Sequence, residues 1–296
     1  MPFSLFGCFK GSSSDFTTKK DRILNQLRGL NWDEPEKIFE LVESQVLIEE
    51  TNKEPKIGCS KYGGTPDLPT TLNWPKFNNR SMVFFAQLNL GDLSILDDSE
   101  LLPKKGMLYF FSHYKEPENE FGAEYLFLIP KEEYSVLYFD GDIEQLTQSE
   151  FPEDVIDLYK FKETPINFEL KYYVPVSFET WKLENANLSD NDTNIYDEFI
   201  SQYDDCESEM ILGTPCPIQY GVDYDWAFSY LDLHDYNDPV SKQKIDSIRP
   251  EFINLLSFPM WNRFEAIGGA NCYFGITKKD LKDKKFENVV FIMQDT

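Results

Sequence analysis

Apolar residues recur at helical spacing only near the start of the chain. Ile23, Leu24, Leu27 and Leu30 share one face of a helix over residues 21–30, and Ile38, Phe39, Leu41 and Val42 do the same over residues 34–46. Residues 1–46 therefore read as an N-terminal helical extension. From Val46 onward the texture changes to short β-branched and aromatic runs. These are Val46-Leu47-Ile48, Met82-Val83-Phe84-Phe85, Met107-Leu108-Tyr109-Phe110-Phe111, Tyr125-Leu126-Phe127-Leu128-Ile129 and Val136-Leu137-Tyr138-Phe139. Pro, Gly, Asn and Asp separate them, which predicts strands. Asp140-Gly141 after the last run suits a tight turn and favours antiparallel pairing. Residues 183–209 are dense in Asp, Glu, Asn and Ser and read as a solvated loop with a short helix over residues 196–203.

The blocks recur in order. Gly63-Gly64-Thr65-Pro66 precedes Val83-Phe84-Phe85-Ala86-Gln87-Leu88-Asn89-Leu90 and then Gly106-Met107-Leu108-Tyr109-Phe110-Phe111. Later, Leu212-Gly213-Thr214-Pro215 precedes Phe252-Ile253-Asn254-Leu255-Leu256-Ser257 and then Gly269-Ala270-Asn271-Cys272-Tyr273-Phe274-Gly275-Ile276. The economical reading is a duplicated unit. The expected fold is α+β, a mostly antiparallel sheet built from two related halves. Residues 1–46 form the helical extension, 47–185 the first half and 186–296 the second.

Length and composition narrow the function. A chain of 296 residues with 25 Phe, 16 Tyr and 5 Trp can bury a large core without covalent staples. Fifty-two acidic against 28 basic residues leave a net charge of −24, which repels phosphate backbones and anionic bilayers. The short basic runs at residues 19–22 and 278–285 are interrupted by Asp and read as solvated helix ends, so no nucleic-acid partner is expected. No apolar stretch approaches the roughly 20 residues of a membrane span, and Met1 to Phe9 lack the basic start of a secretory signal. Five scattered cysteines, Cys8, Cys59, Cys206, Cys216 and Cys272, form neither a C-x-x-C pair nor a disulfide framework. Reduced thiols and a cytoplasmic location are the expectation.

The segment Ser60-Lys61-Tyr62-Gly63-Gly64-Thr65-Pro66-Asp67-Leu68-Pro69, then Trp74-Pro75, then Phe85 to Leu90 and Leu102 to Phe111, resembles the signature of the YwqG-like family. Gly213-Thr214-Pro215-Cys216-Pro217-Ile218-Gln219 is similar to its later Gly-x-Pro-x-x-Ile-Gln block. Tyr273-Phe274-Gly275-Ile276 with Asp280-Leu281 and Phe286 resembles its closing strand and turn. The likeness spans about residues 46–295. Two places depart from it: Ser257-Phe258 stands where the family tends to place a Gln, and Gly268-Gly269-Ala270-Asn271 replaces an acidic Gly-Asp turn. The family is a bacterial-type intracellular domain of unknown function. Some members resemble accessory proteins encoded beside polymorphic toxins, which implies a neutralising or binding role.

Chemistry-bearing motifs are sparse. His113 and His234 are the two histidines, too few for a multi-His metal site, and no Gly-x-Ser-x-Gly elbow accompanies either. Asp190-Asn191-Asp192-Thr193-Asn194 opens like a calcium loop, but Ile195 stands at the sixth position and Ser201 at the twelfth, where Gly and Glu are needed. The acidic and aromatic stretch over residues 223–238 reads as a surface turn. Gly63 and Gly64 after Tyr62 lack the Gly-Lys-Ser/Thr of a phosphate loop and permit a special backbone angle, with Pro66, Pro69, Trp74 and Pro75 laying an extended segment over the sheet. Gln87 and Gln219 sit in or beside apolar runs, where a buried amide must find partners.

The expected function is non-catalytic binding, with no cofactor and no metal. Tyr62, Gly63, Gly64, Trp74, Gln87 and Gln219 are the candidate binding residues, and a basic protein is the expected partner. The alternative is a hydrolase working with paired carboxylates or a divalent metal.

Overall fold

The computed structural model describes residues 13–113, 128–176, 180–202, 209–261, 263–264 and 270–295, with side chains from residue 19 onward. The expected run over residues 125–127, Cys8 and Cys206 lie outside them.

Two helices, α1 (Ser13–Arg28) and α2 (Pro35–Glu40), lead into β1 (Glu43–Glu50). There follow β2 (Lys61–Tyr62), the short strands β3 (Asp67–Pro69), β4 (Lys76–Phe77) and β5 (Arg80–Ser81), β6 (Val83–Asn89), α3 (Leu90–Leu93), β7 (Met107–Ser112), β8 (Tyr134–Phe139) and β9 (Leu146–Gln148). Then come β10 (Thr164–Tyr173), α4 (Trp181–Asn185), α5 (Asp190–Ile200), β11 (Met210–Ile211), α6 (Val222–Tyr230) and α7 (Pro239–Ile248). The chain closes with β12 (Phe252–Pro259), β13 (Asn271–Thr277), α8 (Lys278–Lys282) and β14 (Val290–Gln294).

Ten strands form one antiparallel sheet in the order β14-β13-β12-β11-β1-β10-β2-β6-β7-β8. Its two edges meet again. Leu128 bridges Ile292, and Tyr134 at the start of β8 donates its hydroxyl to the Val289 carbonyl at 2.8 Å beside β14. The sheet is thus a nearly closed, barrel-like surface, a closure that leaves few unpaired strand edges.

Aromatic rings fill its interior. Tyr62 meets Phe258 at 5.4 Å, Phe85 meets Phe258 at 5.7 Å, Phe110 meets Phe274 at 5.0 Å and Tyr134 meets Phe291 at 5.7 Å between ring centroids. Each pair joins strands far apart in the sheet order, so the curl of the sheet makes them neighbours. The outer faces are covered too. Met107, Tyr109 and Phe111 of β7 pack with Leu68, Phe84 and Trp74, while Tyr273 of β13 lies under Trp226 of α6. Burial on both faces explains why β6, β7 and β13 read as continuous apolar runs rather than alternating ones.

These findings correct the expected α+β class and its helical extension. The molecule is predominantly antiparallel sheet with few helices, and the N-terminal helices are not an appendage. Ile23, Leu27, Trp32 and Ile38 form one cluster with Val174, Leu183, Tyr196 and Phe199. The helix expected to run to residue 46 stops at Glu40, because the eight residues of β1 pair along their whole length with β10, from Glu43 opposite Tyr173 to Glu50 opposite Ile166. Pairing partners more than a hundred residues away override local helical spacing.

The expected solvated loop over residues 183–209 also differs. It contains α4 and α5, and Ser189 caps α5 by accepting a hydrogen bond from the Asp192 N–H. Asp192 is fully buried, and its carboxylate accepts from the Asp33 N–H at 2.6 Å and the Glu34 N–H at 3.0 Å. The oxygens that open like a calcium loop therefore stitch α5 to the start of α2. The surface turn expected over residues 223–238 begins instead as α6, with Asp225, Trp226 and Phe228 buried. Cys59 and Cys272 are free, whereas Cys216 is disulfide-bonded, against the expectation of reduced thiols throughout.

Candidate functional site

One open cleft of about 530 Å³ lies where several strands end together. The start of β1 brings Glu43 and Ser44, the end of β10 brings Tyr172, the start of β12 brings Asn254, and Lys278 follows β13. Antiparallel pairing sets these ends side by side. The wall is completed by Trp181 and Lys182 of α4, Asp223 and Trp226 of α6, Arg249 after α7, and Asp98 from the segment before β7. A volume of this size lies within the ordinary range for small-molecule sites.

The floor is set by the turn after β11. Leu212 and Gly213 both have positive φ, at 60° and 70°. A Cβ on Gly213 would sit 2.8 Å from Gln45 Cβ and 3.0 Å from the Tyr173 hydroxyl oxygen, so glycine alone fits. The turn brings Thr214 to Glu43. Thr214 Oγ1 donates to Glu43 Oε2 at 2.6 Å, the Tyr173 hydroxyl donates to the same oxygen at 2.9 Å, and the Thr214 N–H donates to the Tyr173 oxygen. Lys182 pairs with Glu43 Oε1. Burial, and then the Glu43 charge, push the Tyr173 pKa well above its usual value, so the hydroxyl stays a donor to Glu43.

Arg249 forms the second cluster. Its guanidinium holds Glu184 at 2.6 and 3.1 Å in a bidentate pair and Asp223 at 3.0 Å, and it lies over the rings of Trp181 and Tyr224. Asp223 accepts also from the Trp181 N–H at 3.0 Å. Burial raises the Asp223 pKa and the Arg249 charge opposes it. Asp98, the third acid, accepts from Ser44 Oγ at 2.5 Å and from the Tyr172 hydroxyl at 2.7 Å. Two buried wall residues, Thr180 and Asn254, carry oxygens with no hydrogen-bond partner, Oγ1 and Oδ1.

None of the six residues expected to bind lines this cleft. Tyr62 is 1% exposed, wedged against Phe258 and Phe264 with the Arg263 guanidinium 4.2 Å from its ring centre. Gly63 and Gly64 turn the chain at φ 58° and 65°, and a Cβ on Gly63 would strike the Lys162 carbonyl at 2.4 Å. Trp74 donates to the Met82 carbonyl at 2.7 Å and packs on Phe84, Phe111 and Phe151. Gln219 donates to the Asp295 carbonyl at 2.7 Å.

Gln87 belongs to a closed buried network. Its amide oxygen accepts from the Asp67 N–H at 2.8 Å, and its amide nitrogen donates to the Cys59 carbonyl at 2.8 Å and to Asp67 Oδ2 at 2.7 Å. Asp67 holds Lys61 at 3.1 Å, and Lys61 also pairs with Glu163 at 2.5 Å. Every group of Gln87 is spent on the protein itself.

Among the described residues no group of three or more His, Cys, Asp or Glu is placed to hold a metal ion. His113 packs its ring 4.9 Å from that of Phe77, and His234 is exposed. A second cavity, of about 40 Å³ beside Arg80 and Asp154, is too small for an organic ligand. No described helix is long and apolar enough to cross a membrane.

Sequence reasoning singled out two stretches that reach the cleft, the Gly213-Thr214-Pro215 turn as a repeated block and the acidic stretch from Asp223 as a surface turn, and placed neither in a site. It missed Glu43, Asp98, Thr180, Lys182, Arg249 and Lys278, which lie scattered along the chain without motif spacing. Of the carboxylates paired with the buried Arg249, Asp246 lies three residues before it, but Glu184 and Asp223 lie far along the chain and leave no local sequence signal. No curated protein matches the chain. A family model does: it spans residues 60–294, from the residue before β2 to the last of β14, and by that match the chain belongs to the family DUF1963, a domain of unknown function.

Proposed function

We propose that this is a YwqG-like protein acting by non-catalytic binding in the cytoplasm, with the cleft as its ligand seat and the acidic exterior meeting a basic protein. The observation that carries the reading is the state of the cleft's carboxylates. Both oxygens of Glu43, of Asp98 and of Asp223 accept hydrogen bonds or ion pairs from the protein. A general base or nucleophile needs an oxygen facing the substrate. These groups are occupied in holding β1, α4, α6 and the Gly213 turn together, which supports a pre-organised seat rather than a reacting one. The hydrolase alternative has no such support.

The net charge of −24 supports the second part, because an acidic surface accelerates encounter with a basic protein and suppresses nucleic acid. A toxin-neutralising accessory role is one form of this reading, with the toxin as the basic partner. Affinity capture at low salt, followed by reconstitution with the purified partner, tests it. A basic protein should bind one-to-one, with affinity falling steeply as ionic strength approaches physiological values. Capture of nothing, or of a partner whose affinity ignores salt, would count against it.

A further inference from the structure

We infer that the cleft takes a small organic anion, one carrying a carboxylate or phosphate group, and that Lys20, Lys182 and Lys278 hold that group. The inference rests on the cleft being a ligand seat, as proposed above, and adds the class of ligand.

The argument is a count of donors and acceptors. Glu43 is filled by Lys182, Tyr173 and Thr214; Asp98 by Ser44 and Tyr172; Asp223 by Arg249 and Trp181. The acids of the wall thus have no oxygen left without a protein donor. The ammonium groups are in the opposite condition, since each carries three donors. Lys182 gives one to Glu43, and Lys278 gives one to the Pro250 carbonyl at 2.8 Å. Lys20 has no hydrogen-bond or ion-pair partner among the described residues. The Thr180 hydroxyl, 5% exposed, is a further donor in the wall with no partner, against one unpartnered acceptor, Asn254 Oδ1. A cleft with surplus donors recognises a ligand rich in acceptors.

The charge balance agrees. Acidic residues outnumber basic ones 52 to 28 along the chain, yet the wall carries Lys20, Lys182, Arg249 and Lys278 beside Glu43, Asp98 and Asp223; with Arg249 matched by Glu184 and Asp223, and Lys182 by Glu43, the ammonium groups of Lys20 and Lys278 are left without a carboxylate partner among the described residues. Against a repelling exterior, these unmatched ammonium groups are a local sink for an anion. A metal cation would have to share or displace the protein donors that already sit on each carboxylate oxygen there. The volume of about 530 Å³ admits an organic molecule, and the rings of Tyr172 and Trp181 give it an apolar side to lie on.

Titration calorimetry at fixed ionic strength, on the full chain, tests the inference with three probes: citrate, glucose 6-phosphate and uncharged glucose. Saturable binding of citrate or the sugar phosphate is expected, and which of the two binds tells carboxylate from phosphate. Lys278→Gln and Lys20→Gln should each weaken that binding about tenfold, equivalent to about 1.4 kcal/mol, with unchanged melting temperature. Lys53→Gln, on an exposed loop, should leave it intact. Glucose binding as well as the anions would overturn the ligand class while leaving the cleft a seat. Anion binding indifferent to Lys20 and Lys278 would overturn the site. No binding of any probe to folded protein would overturn the inference, and the partner capture described above judges the protein-binding reading separately.

Discussion

Tyr109 of β7 and Tyr273 of β13 make the same hydrogen bond at corresponding places in the sheet. Tyr109 donates its hydroxyl to the Asp67 carbonyl at 2.6 Å, and Tyr273 donates to the Cys216 carbonyl at 2.8 Å. Each acceptor follows a Gly-Thr-Pro turn, Gly64-Thr65-Pro66 or Gly213-Thr214-Pro215. Burial raises both hydroxyl pKa values, so each stays a proton donor. The strands around them correspond as well: β2-β6-β7-β8 and β11-β12-β13-β14 lie in the same order on either side of the central pair β1 and β10. A register shift falls between Phe84 and Ala86 in one set and between Asn254 and Leu256 in the other.

Removing either hydroxyl leaves a carbonyl short of its partner. Tyr109→Phe and Tyr273→Phe should each cost about 1–3 kcal/mol in urea unfolding. Tyr273→Phe should also loosen the turn that floors the cleft, and so weaken ligand binding where Tyr109→Phe does not.

The buried ion network beneath Gln87 predicts a larger loss. Lys61 is 1% exposed and Asp67 fully buried, so Lys61→Met strands a carboxylate in the interior. The expected cost is about 3–5 kcal/mol by chemical denaturation. Lys160→Met removes the exposed pair with Asp157 and should leave the midpoint where it is.

Gly213 ties the backbone to the cleft. Gly213→Ala puts a Cβ 2.8 Å from Gln45 Cβ and 3.1 Å from the Ser44 carbonyl at a φ of 70°, and should cost about 1–3 kcal/mol. Because the nearest polar atom is the Tyr173 hydroxyl, the same change should loosen the Glu43 cluster and reduce binding in the cleft. A calorimetric titration beside a thermal melt separates the two effects.

Asp225 gives the stability a pH dependence. Burial pushes its pKa up from 3.8 to about 6, partly offset by hydrogen bonds from Gln294 at 3.1 Å and Tyr236 at 3.4 Å. The folded protein therefore holds a proton that the unfolded chain releases between about pH 4 and 6, and stability falls as pH rises through that window. The contribution is on the order of 3 kcal/mol. Asp225→Asn keeps an acceptor for Gln294 and should be more stable than the parent at pH 7.5 and closer to it at pH 4.5, read from urea midpoints.

Local sequence was enough for the elements whose character is set by nearest neighbours. The aromatic runs at Val83 to Phe85 and Met107 to Phe111 are strands because such side chains fit a pleated surface buried on both sides. Gly63 and Gly213 mark turns because the positive φ there excludes a Cβ. The extended segment through Pro66, Pro69 and Trp74 lies over the sheet as its prolines suggest.

Tertiary structure decided the rest. β1 became a strand, not the end of a helix, because β10 and β11 flank it from far along the chain. The acidic stretch at Asp190 became a helix because Tyr196 and Phe199 find the N-terminal helices to pack against. The cleft is the extreme case: Glu43 and Lys278 meet only when antiparallel strands bring their ends to one side of a curled sheet, and Lys20 of α1, Asp98 and Arg249 join them from helix and loop segments distant in sequence. A sequence states which residues can pair; which distant ends share a site follows from how the sheet closes.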